Sequence, residues 1–237
     1  MNRRDLIKTA VAAGAVAILP VGGFAQSAPI RRQNFVVAVT GVTNNGTLVP
    51  MNELNNNAET IYRSFLEPLI ALNQKGDAAL KPVLAESWRR IDPRTVELSL
   101  RKGVKFHDGG DFTAEDVAFT FDAQGITGDG SGALFPEKVV AAARNIFSTL
   151  DRVEVVDAHT VRLVARTPDI VLEQRLARQA MEIHSKQAFL KAADYAAYSR
   201  APVGTGPFRV TEFDDDRHLI LDAHADYWGG VPTTQRV

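Results

Sequence analysis

The sequence contains no cysteine. Disulfide bonds, thiol nucleophiles and thiolate metal sites are therefore excluded, and so is lipid attachment through an N-terminal cysteine. Packing and hydrogen bonding must hold the fold together. The 237 residues, of which 45% are hydrophobic and 23% charged, also lack the biased composition of disordered or fibrous proteins. One globular domain, or at most two, is expected.

An excess of positive charge is also missing. The chain has 27 basic and 28 acidic side chains, and its formal net charge is −1. Proteins that bind nucleic acid gain affinity by neutralising phosphates with Lys and Arg. Nucleic acid is therefore not expected among the partners of this chain.

No apolar run is long enough to span a bilayer, which needs about 20 residues. The run over residues 9–21 follows a charged segment, residues 2–8, and precedes small residues of the kind found at cleavage sites. This order predicts a signal peptide over residues 1–25 and a periplasmic location. The pair Arg3 and Arg4 predicts the twin-arginine type, and hence export by the twin-arginine machinery. An ordinary basic n-region and a buried N-terminal helix are the alternatives.

Hydrophobic periodicity predicts strands and helices without a regular βαβ alternation. Strands are predicted at 35–39, 153–156, 160–164, 208–210 and 219–221, with a hairpin over 95–106. Helices are predicted from 113 onwards, after Pro136, and at 170–183 and 186–198. A further helix is predicted at 58–72, and Pro68 is expected to end or kink it. This pattern favours an α/β (mixed α+β) fold with a mixed sheet and flanking helices.

One helix start is predicted in detail. Thr113 precedes Asp116 by three residues, just ahead of an apolar run. A hydroxyl and a carboxylate at this spacing are typical of a capping box, in which each side chain accepts a hydrogen bond from the other residue's backbone.

No residue set with catalytic or metal-binding spacing is found. The five histidines, at 107, 159, 184, 218 and 224, do not form the i, i+4 pair of zinc proteases, and no Gly-x-Ser-x-Gly elbow occurs. The glycines at 204 and 206 are not followed by the Lys-Ser or Lys-Thr of a phosphate-binding loop. We therefore predict no catalytic residue, no metal site and no cofactor, and hence no enzyme.

Five segments carry a resemblance to a known family. In chain order they are residues 84–88 (LAESW), 100–109 (LRKGVKFHDG), 113–117 (TAEDV), 202–208 (PVGTGPF) and 226–232 (DYWGGVP). Together they resemble the family-5 extracellular solute-binding proteins of ABC importers, which are peptide and nickel binders. The resemblance runs from about Phe35 to Pro232 and implies a lobe like those of type II periplasmic binding proteins.

The resemblance also implies a function. Members of this family are two-lobed clamps that close on a solute and present it to a permease in the inner membrane, without a chemical step. The implied partners are a small peptide or a similar solute and an ABC permease. The alternatives are a secreted enzyme that carries a cofactor and a truncated scaffold that takes no part in transport.

The family's ligand loop corresponds here to Asn45, Gly46, Thr47 and Leu48. An extended peptide would pair there with backbone groups. As hinge or backbone support the resemblance implies Gly204, Thr205, Gly206 and Pro207. Family members are typically longer, so residues 26–237 are expected to form the first lobe, with the second lobe absent.

Overall fold

Helices and strands follow one another irregularly along the chain. The computed structural model describes residues 34–37, 46–50, 56–73, 76–178, 181–215 and 217–237; the predicted signal peptide and Asn45 lie outside them. The helices are α1 (Asn56–Tyr62), α2 (Ala114–Ala123), α3 (Glu137–Ile146), α4 (Leu172–Leu176), α5 (Lys186–Lys191) and α6 (Tyr195–Arg200). The strands are β1 (Ile70–Leu72), β2 (Leu80–Pro82), β3 (Ala85–Asp92), β4 (Thr95–Leu100), β5 (Leu150–Asp157), β6 (Thr160–Ala165), β7 (Phe208–Asp214) and β8 (His218–Ala223). The predicted mixed α/β class is confirmed.

The largest sheet has the strand order β3-β4-β6-β5, and every neighbouring pair is antiparallel. The alternation predicted for β4 is present, since Val96, Leu98 and Leu100 are buried. The predicted hairpin over 95–106 is wrong, because β4 pairs with β3 before it and with β6. The β3–β4 turn is closed by Asp92, whose carboxylate accepts the Arg94 N–H at 2.8 Å. This contact within the turn favours the pairing of β4 with β3, the strand that precedes it.

Helix α2 packs against β5 and β6 of this sheet. Buried residues of α2, α3 and the sheet belong to the larger of two hydrophobic clusters, called here the large core. Phe121 of α2 meets Phe147 edge to face at 5.3 Å between ring centres. The capping box of α2 is confirmed. The Thr113 hydroxyl accepts the Glu115 N–H, and the Asp116 carboxylate accepts the Thr113 N–H at 3.0 Å.

A second cluster, called here the small core, lies beside the β7–β8 hairpin. Its buried members are Leu48, Tyr62, Phe65, Leu66 and Leu221. The last residues of the chain extend the hairpin, because Leu221 and Val237 exchange two backbone hydrogen bonds of 2.8 and 2.9 Å. The small core is therefore covered on one side by a short antiparallel sheet.

Four further predicted elements differ in the structure. The strand expected to be buried at 35–39 is exposed over its described part, with Phe35 at 47%, Val36 at 89% and Val37 at 55%. An apolar composition alone does not bury a strand, because another part of the fold must cover it. The bridge given for the described part of this segment joins Asn34 to Arg236.

The helix predicted over 58–72 ends at Tyr62, and the residues after Pro68 form β1 instead. Pro68 has no N–H to donate to a helix, so the apolar spacing beyond it belongs to a strand. The helix predicted over 170–183 is reduced to α4, and the one over 186–198 is divided into α5 and α6. Asp194 causes this division, because its carboxylate caps α6 by accepting the Ala197 N–H at 2.8 Å.

Candidate functional site

Three described segments run from the small core to the large core, and together they are called here the seam: residues 48–49, 66–69 and 203–208. Leu48 packs in the small core and Val49 in the large one. Leu66 packs in the small core and Leu69 in the large core. Val203 packs against the large core, and Phe208 packs against the small one. The chain therefore passes between the two cores three times in the same region. Several buried polar groups lie in that region.

The glycine segment (Gly204, Thr205 and Gly206) passes directly over the backbone of Phe65. A Cβ on Gly204 would lie 2.1 Å from the Phe65 carbonyl oxygen, and one on Gly206 would lie 2.8 Å from the carbonyl carbon. Gly206 donates its N–H to the Phe65 oxygen at 3.2 Å. Glycine is required at both positions because two backbones approach more closely than a side chain permits. The two glycines predicted as backbone support thus lie at a crossing of the seam, with Pro207 immediately beyond them.

Two histidines hold the glycine segment from the other side. The Nδ1 atom of His107 accepts the Gly204 N–H at 3.2 Å, so Nε2 carries the proton and donates to the Gly206 oxygen at 3.1 Å. His224 donates from Nδ1 to the same oxygen at 3.3 Å. Burial lowers the pKa of His107 to about 4 and also lowers that of His224. Both rings are therefore neutral at neutral pH and serve as hydrogen-bonding supports.

Glu67 ties the glycine segment to the aromatic residues near the end of the chain. Its carboxylate accepts hydrogen bonds from the Thr205 hydroxyl at 2.8 Å, the Tyr227 hydroxyl at 2.9 Å and the Trp228 indole N–H at 2.8 Å. Burial raises the pKa of Glu67, and these three donors act in the opposite direction. The Arg101 guanidinium lies 4.0 Å above the Trp228 ring. Sequence segments 202–208 and 226–232 are thus joined through one carboxylate.

The described part of the predicted ligand loop lies against α6 and the β7–β8 turn. Gly46 has a φ of +65°, and a Cβ there would lie 2.8 Å from the Asp215 carboxylate. Thr47 and Leu48 are buried, and Leu48 donates its N–H to the Ser199 oxygen at 2.7 Å. The Leu48 side chain and N–H are therefore engaged inside the fold, and Gly46 is the partly exposed residue of this segment.

Sequence reasoning missed Glu182, which is 1% exposed and forms an isolated backbone bridge with Pro68 of the seam. Neither carboxylate oxygen has a hydrogen-bond partner in another described residue. Burial raises the pKa of Glu182 to about 7, while the residue's own backbone N–H and Arg63 act to lower it and Glu59 acts to raise it. The available signal was a single acidic residue between Met181 and Ile183. That pattern alone does not distinguish a buried carboxylate from an exposed one.

Two further properties concern metals and membranes. Within the described ranges, no group of three or more His, Asp or Glu side chains is arranged to hold a metal ion. No helix in the same part of the chain combines the length and the apolar character needed to cross a membrane.

Comparison with solved structures identifies the class of fold. The chain is similar to the ABC transporter-associated periplasmic binding protein DppA from Helicobacter pylori, solved in complex with the peptide STSA. The TM-score is 0.73 at 23% sequence identity, over 87% of this chain and 42% of that one. The fold is therefore that of periplasmic binding proteins.

The family model for "Bacterial extracellular solute-binding proteins, family 5 Middle" matches residues 79–237. The chain belongs to this family, as the five sequence segments predict.

Two curated relatives show the range of the family. The Di/tripeptide-binding protein 2 of Pseudomonas aeruginosa is 34% identical over 178 residues, which is 66% of this chain and 32% of the relative. The Heme-binding protein A of Haemophilus influenzae is 30% identical over 197 residues, which is 77% of this chain and 35% of the relative. The chain thus spans about a third of the length of these relatives.

Proposed function

We propose that this chain is the solute-binding component of an ABC transporter. It captures peptides or a similar small solute in the periplasm and delivers them to a permease in the inner membrane. Family membership supports this role, as do relatives named for binding di- and tripeptides. These relatives are binding proteins, which favours capture over the alternative of a secreted enzyme.

The observation that carries the proposal is the seam. Single segments connect two separately packed cores, and the glycine segment crosses Phe65 at a distance that only glycine allows. Domains that close around a ligand rotate about a few residues at such connections. We infer that Gly204, Thr205, Gly206 and Pro207 form one such connection.

The solute is proposed to lie along the segment that contains Asn45, Gly46, Thr47 and Leu48. An extended peptide there would bind through backbone hydrogen bonds, which give affinity without selecting particular side chains. Since the Leu48 N–H is bonded to Ser199, the donors and acceptors offered to the peptide come from the residues before it. Gly46 is the partly exposed residue among them.

Residues 26–237 are proposed to supply one lobe of the clamp, after export directed by residues 1–25 through the twin-arginine machinery. One lobe provides part of the contact area around a solute. Losing about 4 kcal/mol of contacts weakens binding about a thousandfold. We therefore expect residues 26–237 on their own to bind peptides more weakly than a two-lobed relative does.

Saturation-transfer NMR detects such weak binding and tests the proposal. Dialanine, trialanine and glutathione are expected to receive saturation from the full chain, whereas sucrose is not. Gly46→Ala should reduce the signal, because the new methyl group meets the Asp215 carboxylate. Gly128→Ala is the matched control, since Gly128 also has a positive φ but has open space around it. Equal signals from sucrose and the peptides would contradict the proposal.

A further inference from the structure

His107 and His224, called here the histidine pair, hold the glycine segment through their backbones as well as their rings. His107 donates its backbone N–H to the Gly204 oxygen at 2.9 Å, and His224 donates its own to the Pro207 oxygen at 2.8 Å. The rings add one bond from the Gly204 N–H and two to the Gly206 oxygen. Five hydrogen bonds therefore join the histidine pair to this short connection.

The position of Gly204 depends on His107 in particular. Gly204 has no side chain to pack, and both of its backbone polar groups are bonded to His107. The residue is buried, and its neighbour in space is the Phe65 carbonyl oxygen rather than water. A buried N–H that loses its acceptor is unfavourable, so the segment must move if the bond to the His107 ring is lost.

The bond from Gly204 is the one that protonation of His107 abolishes. A backbone N–H can only donate, so the Nδ1 atom of His107 must be unprotonated to accept it. When His107 takes up a proton, both ring nitrogens become donors, and two N–H groups face each other. The bonds to the Gly206 oxygen do not require this change, because both rings already donate to that oxygen.

The surroundings of the histidine pair favour the neutral rings. The two rings meet edge to face at 4.9 Å between centres. Burial lowers the pKa of His107 to about 4; Arg209 of β7 and His224 act in the same direction, while Asp108 and the bonded carbonyl oppose them. Burial also lowers the pKa of His224, where Arg209 acts in the same direction and Asp226 and the carbonyl act against it. The contact with Gly204 is therefore intact at neutral pH and is lost in acid.

We propose that the histidine pair is a pH-sensitive device, in which the neutral His107 ring positions the glycine segment and protonation of His107 releases it. An amide side chain would accept the same N–H at every pH, whereas imidazole exchanges an acceptor for a donor. The release itself does not depend on the proposed function. Its consequence for that function is that acid loosens one connection of the seam and weakens solute capture.

Hydrogen exchange of the Gly204 amide in the full chain, followed by NMR between pH 6 and pH 4, tests the release. After correction for intrinsic exchange, the protection of this amide should fall about tenfold per pH unit, since the protonated fraction of His107 rises by that factor. The Leu221 amide, bonded to the Val237 oxygen, should keep its protection. Nitrogen NMR of the His107 ring should show the Nε2–H tautomer at pH 6.

Two substitutions separate the two nitrogens of the His107 ring. His107→Asn places an amide oxygen near the position of Nδ1 and should protect Gly204 equally at pH 6 and pH 4. His107→Gln places its amide near the position of Nε2 and should leave Gly204 unprotected at both. The control is His218→Asn, because the exposed His218 ring bonds to Glu212 outside the histidine pair. It should show the same loss of protection as wild type.

Titration of the wild-type His107 ring without loss of Gly204 protection would overturn the inference, and this measurement requires no variant to fold. A His107 ring found as the Nδ1–H tautomer at pH 6 would overturn it as well. Equal protection of Gly204 in His107→Asn and His107→Gln would show that Nδ1 is not the acceptor.

Titration with trialanine distinguishes failure of this device from failure of the proposed function. Relative to His107→Asn, wild type should bind trialanine about twofold more weakly at pH 4, where half of the rings are protonated, and equally at pH 6. Equal affinity at both pH values, with Gly204 released, would overturn the effect on capture and leave solute binding intact. Absence of trialanine binding at every pH would contradict the proposed function and leave the release of Gly204 in place.

Discussion

The Thr205 hydroxyl donates a 2.8 Å hydrogen bond to the Glu67 carboxylate, across a sequence separation of 138 residues. Both side chains are buried. The bond connects the glycine segment to the residues just before β1, at the point where both segments cross between the cores. It adds a specific polar contact between the two segments to the apolar contacts around them.

Thr205→Val tests the value of this bond. Valine keeps the shape of threonine but leaves the buried Glu67 carboxylate with one donor fewer, so unfolding free energy should fall by about 1–3 kcal/mol. Urea unfolding measures the change. The control is Thr211→Val, which removes an exposed hydroxyl bonded to the Ile220 oxygen and should change stability by less than about 0.5 kcal/mol. Equal effects of the two substitutions would contradict the role given to Thr205.

Gly204→Ala should destabilise the fold by more than about 2 kcal/mol, because the new methyl group meets the Phe65 carbonyl oxygen at 2.1 Å and backbone must move. Gly132→Ala is a matched control. Its nearest neighbour would be the Asp122 side chain at 3.7 Å, an ordinary contact. Thermal unfolding of both variants gives the comparison. A Gly204→Ala protein as stable as the control would show that the two backbones do not approach as described.

Glu182→Gln should make stability less dependent on pH. The usual carboxyl pKa of 4.5 is raised by burial to about 7 in the folded chain. Below pH 4.5 both folded and unfolded states are protonated, and the stability from this group is fully present. Between pH 4.5 and about 7 the unfolded state releases its proton first, so stability is lost as pH rises.

The variant should therefore equal wild type near pH 4.5 and exceed it by about 3 kcal/mol at pH 8. Chemical denaturation at the two pH values provides the measurement. The control is Glu154→Gln, at a partly exposed carboxylate paired with Arg152, which should give no such gain. A variant less stable than wild type at pH 8 would indicate that Glu182 has a partner after all.

The sequence predicts correctly those elements that are determined by residues close together in the chain. The Thr113 cap, the alternation of β4 and the strands β5 and β6 each depend on residues within a few positions. The partner of β4 and the exposure of Phe35 depend instead on which other segments are near. The same holds for the site: the closeness of Gly204 to Phe65 and the burial of Glu182 follow from contacts across more than 100 residues, and no short pattern encodes them.

Replacing Arg3 and Arg4 together by lysine should abolish export, because the twin-arginine pathway reads the arginine pair rather than positive charge alone. The assay compares periplasmic and cytoplasmic fractions for the two proteins, and N-terminal sequencing of the exported chain should begin near Gln26. Unchanged export of the lysine variant would indicate an ordinary signal peptide.

The location of bound peptide tests the central claim most directly. Backbone amide shifts of the full chain are recorded as trialanine is added, and the largest changes are expected at Gly46 of the proposed ligand segment and at Gly204 and Gly206 of the seam. The structure offers a different pocket of about 510 Å³ beside the turn at 127–132, lined in part by Asp122 and Arg152. Shifts concentrated around that pocket, with Gly46 and the seam amides unmoved, would contradict the proposed position of the solute.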